Sequence, residues 1–220
     1  ALPISGSTLL VSLLNSSPEI FCDNEIYHRR VANPWRYLNF RAKLGNRPVY
    51  GFKLLTYHMG KVLNVPREKQ SNFLQRLHEE GYKIIYLRRE DLFRQALSNV
   101  YVRKRDQFHN TSDKDNKKMI RVEVSELSEW VDGLRSQANF EAELLDGIPH
   151  LALGYERHLM DAEAHTDTLQ NLSEYLNVAV SQPKTKLKPV TPRSLESFIE
   201  NHEEIEAYRR SLEPVRQSRK

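Results

Sequence analysis

The chain predicts an α/β protein built on a parallel sheet, and three observations carry that prediction. Strand-like segments alternate with helical ones along its 220 residues, the pattern of a sheet whose crossovers are helices. The segment "YKIIYLRR" is apolar without alternation, as strands covered on both faces are. From about Ser125 to Leu145, by contrast, Leu127, Val131, Leu134, Ala138 and Leu145 lie on one stripe of a long helix. The length suits one large domain or one with an appended subdomain, and the expectation is a single domain over 1–220.

The elements follow in order. Leu10, Leu13 and Leu14 fall at helical spacing, so a short helix buries one face near the start. Ser5, Gly6, Ser7 and Thr8 then occupy its loop and first turn. "DNEIYHRRVANPWRYLNFRAKLGNRP" reads as irregular or short-helical, and "PVYGFKLLTYHMG" carries a strand around Val49–Leu55. A helix from Lys69 to Glu79 buries Phe73, Leu74 and Leu77, and Gly81 ends it. After "YKIIYLRR", Leu92, Phe93, Ala96, Leu97, Val100 and Tyr101 mark a helix over Asp91–Tyr101. The charge-rich 103–118 stretch reads as a solvated loop, or as a lid over an acceptor site given its length. Beyond the long helix, "PHLALGYE" is a short strand, Ala162–Leu176 a helix, and the tail holds helical stretches at Leu195–Ile199 and Ile205–Leu212. Such sheets bind ligands at the carboxyl ends of their strands.

Composition narrows the function. The net charge of +4 accommodates an anionic ligand but is too small to imply nucleic acid. Cys22 stands alone and forms no internal disulfide, which favours a reducing, cytoplasmic compartment. No Lys or Arg precedes Arg29, against a signal peptide, and the polar tetrad interrupts the only apolar run near the start, against a membrane span. A parallel strand normally feeds an anion loop, and only "ALPI" precedes this one, so a strand upstream of Ala1 is expected.

Two motifs carry chemistry. In the Ser5–Thr8 tetrad, backbone N–H groups at a helix start, hydroxyls and a glycine gather where an anion, most plausibly phosphate, is stabilised; simple capping needs only one of those hydroxyls. No GxxxxGK[ST] or GxGxxG occurs. In "IYLRREDLFRQALSN", Arg88 and Arg89 leave a strand and Ser98 lies about two turns into the next helix. A guanidinium fork and a hydroxyl are then available to one anion. The plainer reading pairs both arginines with surface carboxylates such as Glu90 and Asp91.

Together these motifs resemble those of PAPS-dependent sulfotransferases, in particular the bacterial branch acting on nodulation factors and glycolipids. That family carries "RSGSTLL" around the 5′-phosphosulfate and "(I/V)xLxRxNxxxxAxS" around the 3′-phosphate. Here they read "ISGSTLL" and "IYLRREDLFRQALS". "GFKLL", "YERHL" and the tail "TKLKPVTPRSLESFIENHEEIEAYRRSL" extend the likeness over most of the chain. Two positions depart: Ile4 stands where a basic residue is usual, and Asp91 where Asn is common.

The resemblance implies a P-loop-NTPase-like parallel sheet flanked by helices, PAPS as donor, PAP as product, and no metal. Ser5, Gly6, Ser7 and Thr8 then face the 5′-phosphosulfate, and the positive contact that Ile4 lacks is either missing or replaced by Lys53. Arg89 and Ser98 take the 3′-phosphate, Tyr155 approaches the adenine, and Lys186 or Lys188 closes over the nucleotide. The expected partner is a small-molecule, sugar or lipid acceptor. For the base, Glu25 leads, because a short segment returns it from the first helix to the loop, and a glutamate at the matching place is the proposed base in some bacterial members. His58, after the Lys53-bearing strand, is second, with a surface histidine as its bland reading, and His28 is third. Aromatic and basic residues interleave in "HRRVANPWRYLNFRAK" as a sugar or lipid contact or a packed surface segment. The rival functions are a nucleotide kinase, disfavoured by the missing Walker lysine, and a degenerate nucleotide-binding or interaction module.

Overall fold

Ser7–Leu14 forms the first helix, α1, with Leu10, Val11, Leu13 and Leu14 buried as their spacing requires. The computed structural model describes residues 6–109, 119–179 and 194–212. These belong to two compact units, one drawn from Ala1–Glu90 and Gln137–Lys188, the other from Asp91–Ser136 and Pro189–Lys220.

In the first unit, strands β1 (Ile20–Asp23) and β2 (Val49–Phe52) run parallel, with Ile20 opposite Val49 and Asp23 opposite Phe52. Strands β3 (Ile84–Arg88) and β4 (His150–Gly154) form a second parallel pair, with Ile84 opposite His150 and Arg88 opposite Gly154. Among the described residues these are two separate pairs, not the single sheet the pattern predicts. Helix α2 (Pro34–Leu44) lies between β1 and β2 in sequence; Asn33 accepts from the Arg36 N–H at 3.0 Å, and Pro34 suits the first helical position. A π-helical turn at His58–Val62 follows β2, and α3 (Gln70–Glu79) precedes β3. After β4 come the helical turn α6 (Tyr155–His158) and α7 (Ala164–Leu176).

Alternation along the strands feeds two cores. Ile20, Cys22, Val49, Ile85, Leu87 and Leu153 pack with α1 and α7. Tyr50, Phe52, Ile84 and Tyr86 pack with α3 and the end of the long helix at Leu144 and Leu145. The apolar run of β3 is half-buried rather than fully covered, and among the described residues β4 is its one hydrogen-bonded neighbour. Strand β1 has no counterpart in the periodicity, since four residues ending in Cys22-Asp23 are too short to show one. Asn15 anchors it: its side-chain amide pairs with both the N–H and the carbonyl of Cys22, at 2.8 and 2.7 Å, as a neighbouring strand would.

The second unit joins α4 (Leu92–His109) and the first part of α5 (Val124–Leu145) to a 3₁₀ turn at Leu195–Ser197 and helix α8 (His202–Leu212). Phe93, Leu97, Val100, Leu127, Val131, Leu134, Phe198 and Ile205 are buried, and Tyr101 meets Phe198 edge-on at 5.1 Å. Helix α4 carries on to His109, so residues 103–109, expected as loop, are helical; 110–118 lie outside the described residues. The expected helix at Leu195–Ile199 is the 3₁₀ turn, and Ala138 is only half-buried on the α5 stripe. No described helix is long and apolar enough to cross a membrane.

Candidate functional site

Each strand of the first unit delivers one candidate at its carboxyl end. Glu25 follows β1 by two residues, while Lys53, Arg89 and Tyr155 directly follow β2, β3 and β4. Parallel pairing puts such ends on the same side of each pair, and two clusters result.

The first cluster joins Glu25, Lys53 and His58. Lys53 Nζ lies 2.6 Å from Glu25 Oε1, and His58 Nε2 lies 3.2 Å from Glu25 Oε2. The side chains are 9% exposed for Lys53, 26% for Glu25 and 1% for His58. His58 is therefore no surface histidine: the π-helical turn, closed by the Leu63 N–H on the His58 carbonyl at 2.8 Å, carries its ring inward. The Leu55 N–H donates to His58 Nδ1 at 3.1 Å. Nδ1 must then be unprotonated, so Nε2 carries the proton and donates to Glu25.

The charges agree with that assignment. Burial holds His58 below its ordinary range, outweighing the pull of Glu25. Burial acts to raise Glu25, but the Lys53 ammonium and then His58 overcome it and hold the carboxyl below its usual value. The resting cluster is an ionised carboxylate between an ammonium and a neutral imidazole.

The second cluster is built on Tyr155. Gly6 caps α1 with φ +81°, and a Cβ there would overlap the Tyr155 ring, so only glycine brings the loop this close. The guanidinium of Arg89 lies over the same ring, 4.3 Å from its centroid. Arg89 Nε donates to Glu156 Oε1 at 3.3 Å, and Glu156 Oε2 accepts the Glu90 N–H at 2.9 Å. Glu90 in turn accepts from Arg157 Nε at 3.1 Å. Ser7 and Thr8 open α1, whose first turn holds no acidic side chain. Helix and loop thus offer N–H groups beside a fixed guanidinium.

Other candidates fall elsewhere. Ser98 is buried on α4 in the second unit. Ser5, Lys186 and Lys188 lie outside the described residues. His28 is exposed, donating from Nδ1 to the Glu25 carbonyl at 2.8 Å. The aromatic–basic segment is largely packed: Arg41 Nη2 binds Asp23 at 2.8 Å, and Trp35 meets Phe73 at 4.8 Å under the Arg76 guanidinium. Burial pushes the Cys22 thiol up to about 12, so it is not a nucleophile.

Two features escape sequence reasoning. Glu156 holds Arg89, and its only signal was its place beside Tyr155. A polar group of Thr56, Tyr86, Gln137 and Glu141 draws on three separate segments, so no local pattern announces it. Among the described residues, no group of three His, Cys, Asp or Glu is placed to hold a metal ion. Comparison with models of known families, with curated proteins and with solved structures finds no match.

Proposed function

We propose that the first unit serves a group-transfer enzyme that takes an anionic nucleotide donor and activates an acceptor with a carboxylate. In particular, we read the donor as PAPS and the enzyme as a cytoplasmic sulfotransferase of P-loop-like fold, moving a sulfuryl group onto a hydroxyl. The observation that carries the reading is the meeting of Glu25, Lys53 and His58 at the strand ends. Gly6, Arg89 and Tyr155, collected at other ends of the same unit, supply anion-binding groups.

The residues suit such a donor chemically. A glycine-opened helix start without acidic side chains favours an anion, and a guanidinium held by Glu156 and Tyr155 is preorganised for phosphate. In the transfer, the acceptor oxygen attacks sulfur as the sulfur–oxygen bond to the nucleotide phosphate breaks. The hydroxyl proton passes to Glu25, and the bisphosphate leaves with the bond pair.

His58 is no base in this arrangement. Nδ1 is engaged by a backbone N–H and Nε2 points its proton at Glu25, so it orients the carboxylate. Lys53 supplies the positive charge where Ile4 brings none. When the ammonium turns to the developing charge on the leaving oxygen, Glu25 loses its strongest partner and becomes more basic.

Calorimetric titration with adenosine 3′,5′-bisphosphate beside ATP, on wild type and Arg89→Ala, tests the donor. Selective binding of the bisphosphate, lost in the variant, supports the reading. Preference for ATP, or no binding, overturns it.

A further inference from the structure

Helix α2 carries an exposed face that its own packing does not explain. Its inner side is engaged: Leu38 is fully buried, the Trp35 ring meets that of Phe73 at 4.8 Å, and Arg41 Nη2 donates to Asp23 at 2.8 Å. On the outer side, Phe40 and Leu44 are 57% and 59% exposed, the two most exposed large hydrophobic side chains among the described residues. They stand one turn apart and form one apolar strip. Exposed apolar side chains scattered singly are ordinary. A pair at the outer pole of a helix already anchored on its other side is not.

Cations frame the strip. Arg36 lies one turn before Phe40 and Lys43 three residues after it, and both are exposed. Arg29 and Arg30 are exposed in the loop ahead of the helix, which the Tyr27 hydroxyl closes by donating to the Pro34 carbonyl at 2.9 Å. Among the described residues, none of these four cations pairs with a carboxylate. Between Glu25 and Glu68 the sequence has nine Lys and Arg and no Asp or Glu, against a net charge of only +4 for the whole chain. Positive charge is thus concentrated on this stretch, and the remainder of the chain is net negative.

The combination selects the partner. Cations with no carboxylate among them fit a surface of continuous negative charge. A folded protein partner is a poorer match, because charges of both signs fix its register and only one sign occurs here. Nucleic acid would answer the cations, but Leu44 has no ring to stack on a base and no hydrogen bond for a base edge. An anionic bilayer answers both halves. Its phosphates take the guanidinium and ammonium groups, while Phe40 and Leu44 enter the boundary between headgroups and acyl chains.

We propose that α2 docks the protein on an anionic phospholipid surface, with Phe40 and Leu44 inserted and Arg36 and Lys43 on the lipid phosphates. Arg29 and Arg30 add attraction from the neighbouring loop. The contact is peripheral and reversible, since two side chains bury too little to anchor a chain permanently. It depends on neither the donor reading nor the acceptor.

Co-sedimentation of the full chain with vesicles tests the docking, using equimolar phosphatidylglycerol and phosphatidylcholine beside phosphatidylcholine alone. These vesicles hold no sugar lipid, so binding reports the surface and not an acceptor. Wild type is compared with Phe40→Ser/Leu44→Ser and Arg36→Gln/Lys43→Gln after thermal melting shows all three folded; the four side chains are exposed, so the fold should tolerate both exchanges. Wild type should pellet with the mixed vesicles and not with phosphatidylcholine alone. Loss of two cations should weaken binding about 30-fold, at about fivefold for each charge near the surface. Loss of the two apolar side chains should weaken it at least about tenfold. A fluorescence titration with polyuridylate is run on the same proteins. No binding to the mixed vesicles, equal binding by either variant, equal binding to both kinds of vesicle, or binding of polyuridylate in place of the vesicles overturns the docking.

Discussion

His58 donates its Nε2 proton to Oε2 of Glu25 across 3.2 Å while its other ring nitrogen is held by the Leu55 N–H. Under the proposed transfer the two residues divide the work: Glu25 has the lone pair to receive a proton, and His58 has none to offer. Glu25→Gln is expected to lower release of adenosine 3′,5′-bisphosphate from PAPS by about 10²–10⁴-fold, the usual contribution of general-base catalysis. His58→Gln, which keeps a donor near the carboxylate, should retain most of the turnover. Both should titrate with the bisphosphate like wild type. A larger loss in His58→Gln than in Glu25→Gln would reverse the assignment.

Acid stability follows from the same pair. Burial, the largest influence on His58, lowers its pKa below the ordinary 6.5. The unfolded chain then binds a proton that the folded chain refuses, so His58 contributes stability above 6.5 that is lost as pH falls through its folded value. Glu25, held below 4.5 because Lys53 and His58 outweigh burial, adds a second loss that begins near 4.5 and runs lower. Urea midpoints should fall between pH 7.5 and 5.5, and His58→Gln should flatten that interval while leaving the drop below 4.5. An unchanged slope in His58→Gln would show that another group carries it.

Lys53→Met removes the cation against Glu25 and keeps the length of the stem. With burial no longer opposed by the ammonium, the carboxyl should move up from its lowered position. The acid limb of kcat/KM therefore shifts to higher pH, while turnover at neutral pH drops because the leaving oxygen loses its positive contact. NMR of the labelled Glu25 carboxyl gives the shift without relying on turnover. A carboxyl that titrates as in wild type would mean that the 2.6 Å pair does not persist in solution.

The alternation of strands and helices was legible because it repeats over many residues, and the ends of α3, α5 and α7 lie within two residues of their expected places. Strand β1 was not, since Ile20–Asp23 is held by the Asn15 side chain and by pairing with β2 rather than by any pattern of its own. The same distinction governs the site. Glu25, Lys53 and His58 were legible singly from their places after helix and strand, but their contact depends on parallel register and on a π-helical turn. Burial of His58 could not be read from "TYHMG", because the ring is fixed by the Leu55 N–H on one nitrogen and by Glu25, 33 residues away, on the other. Arg89 was legible as a guanidinium at a strand end; Glu156 as its holder was not, being 67 residues away.

Gly6→Ala tests why glycine stands before α1. The position has φ +81°, where a side chain costs roughly 1–2 kcal/mol, and the added Cβ overlaps the Tyr155 ring. The variant should lose more than that backbone cost in urea unfolding, and its bisphosphate affinity should fall with it. Tyr155→Ala alone removes the ring that Arg89 lies against and is expected to weaken bisphosphate binding as well. In the double variant the overlap is gone while the strained φ persists, so the combined stability loss should be smaller than the sum of the single losses. Simple additivity would mean that the loop does not lie against the ring in solution, and the close approach of Gly6 to Tyr155 would have to be abandoned as the reason for glycine at this position.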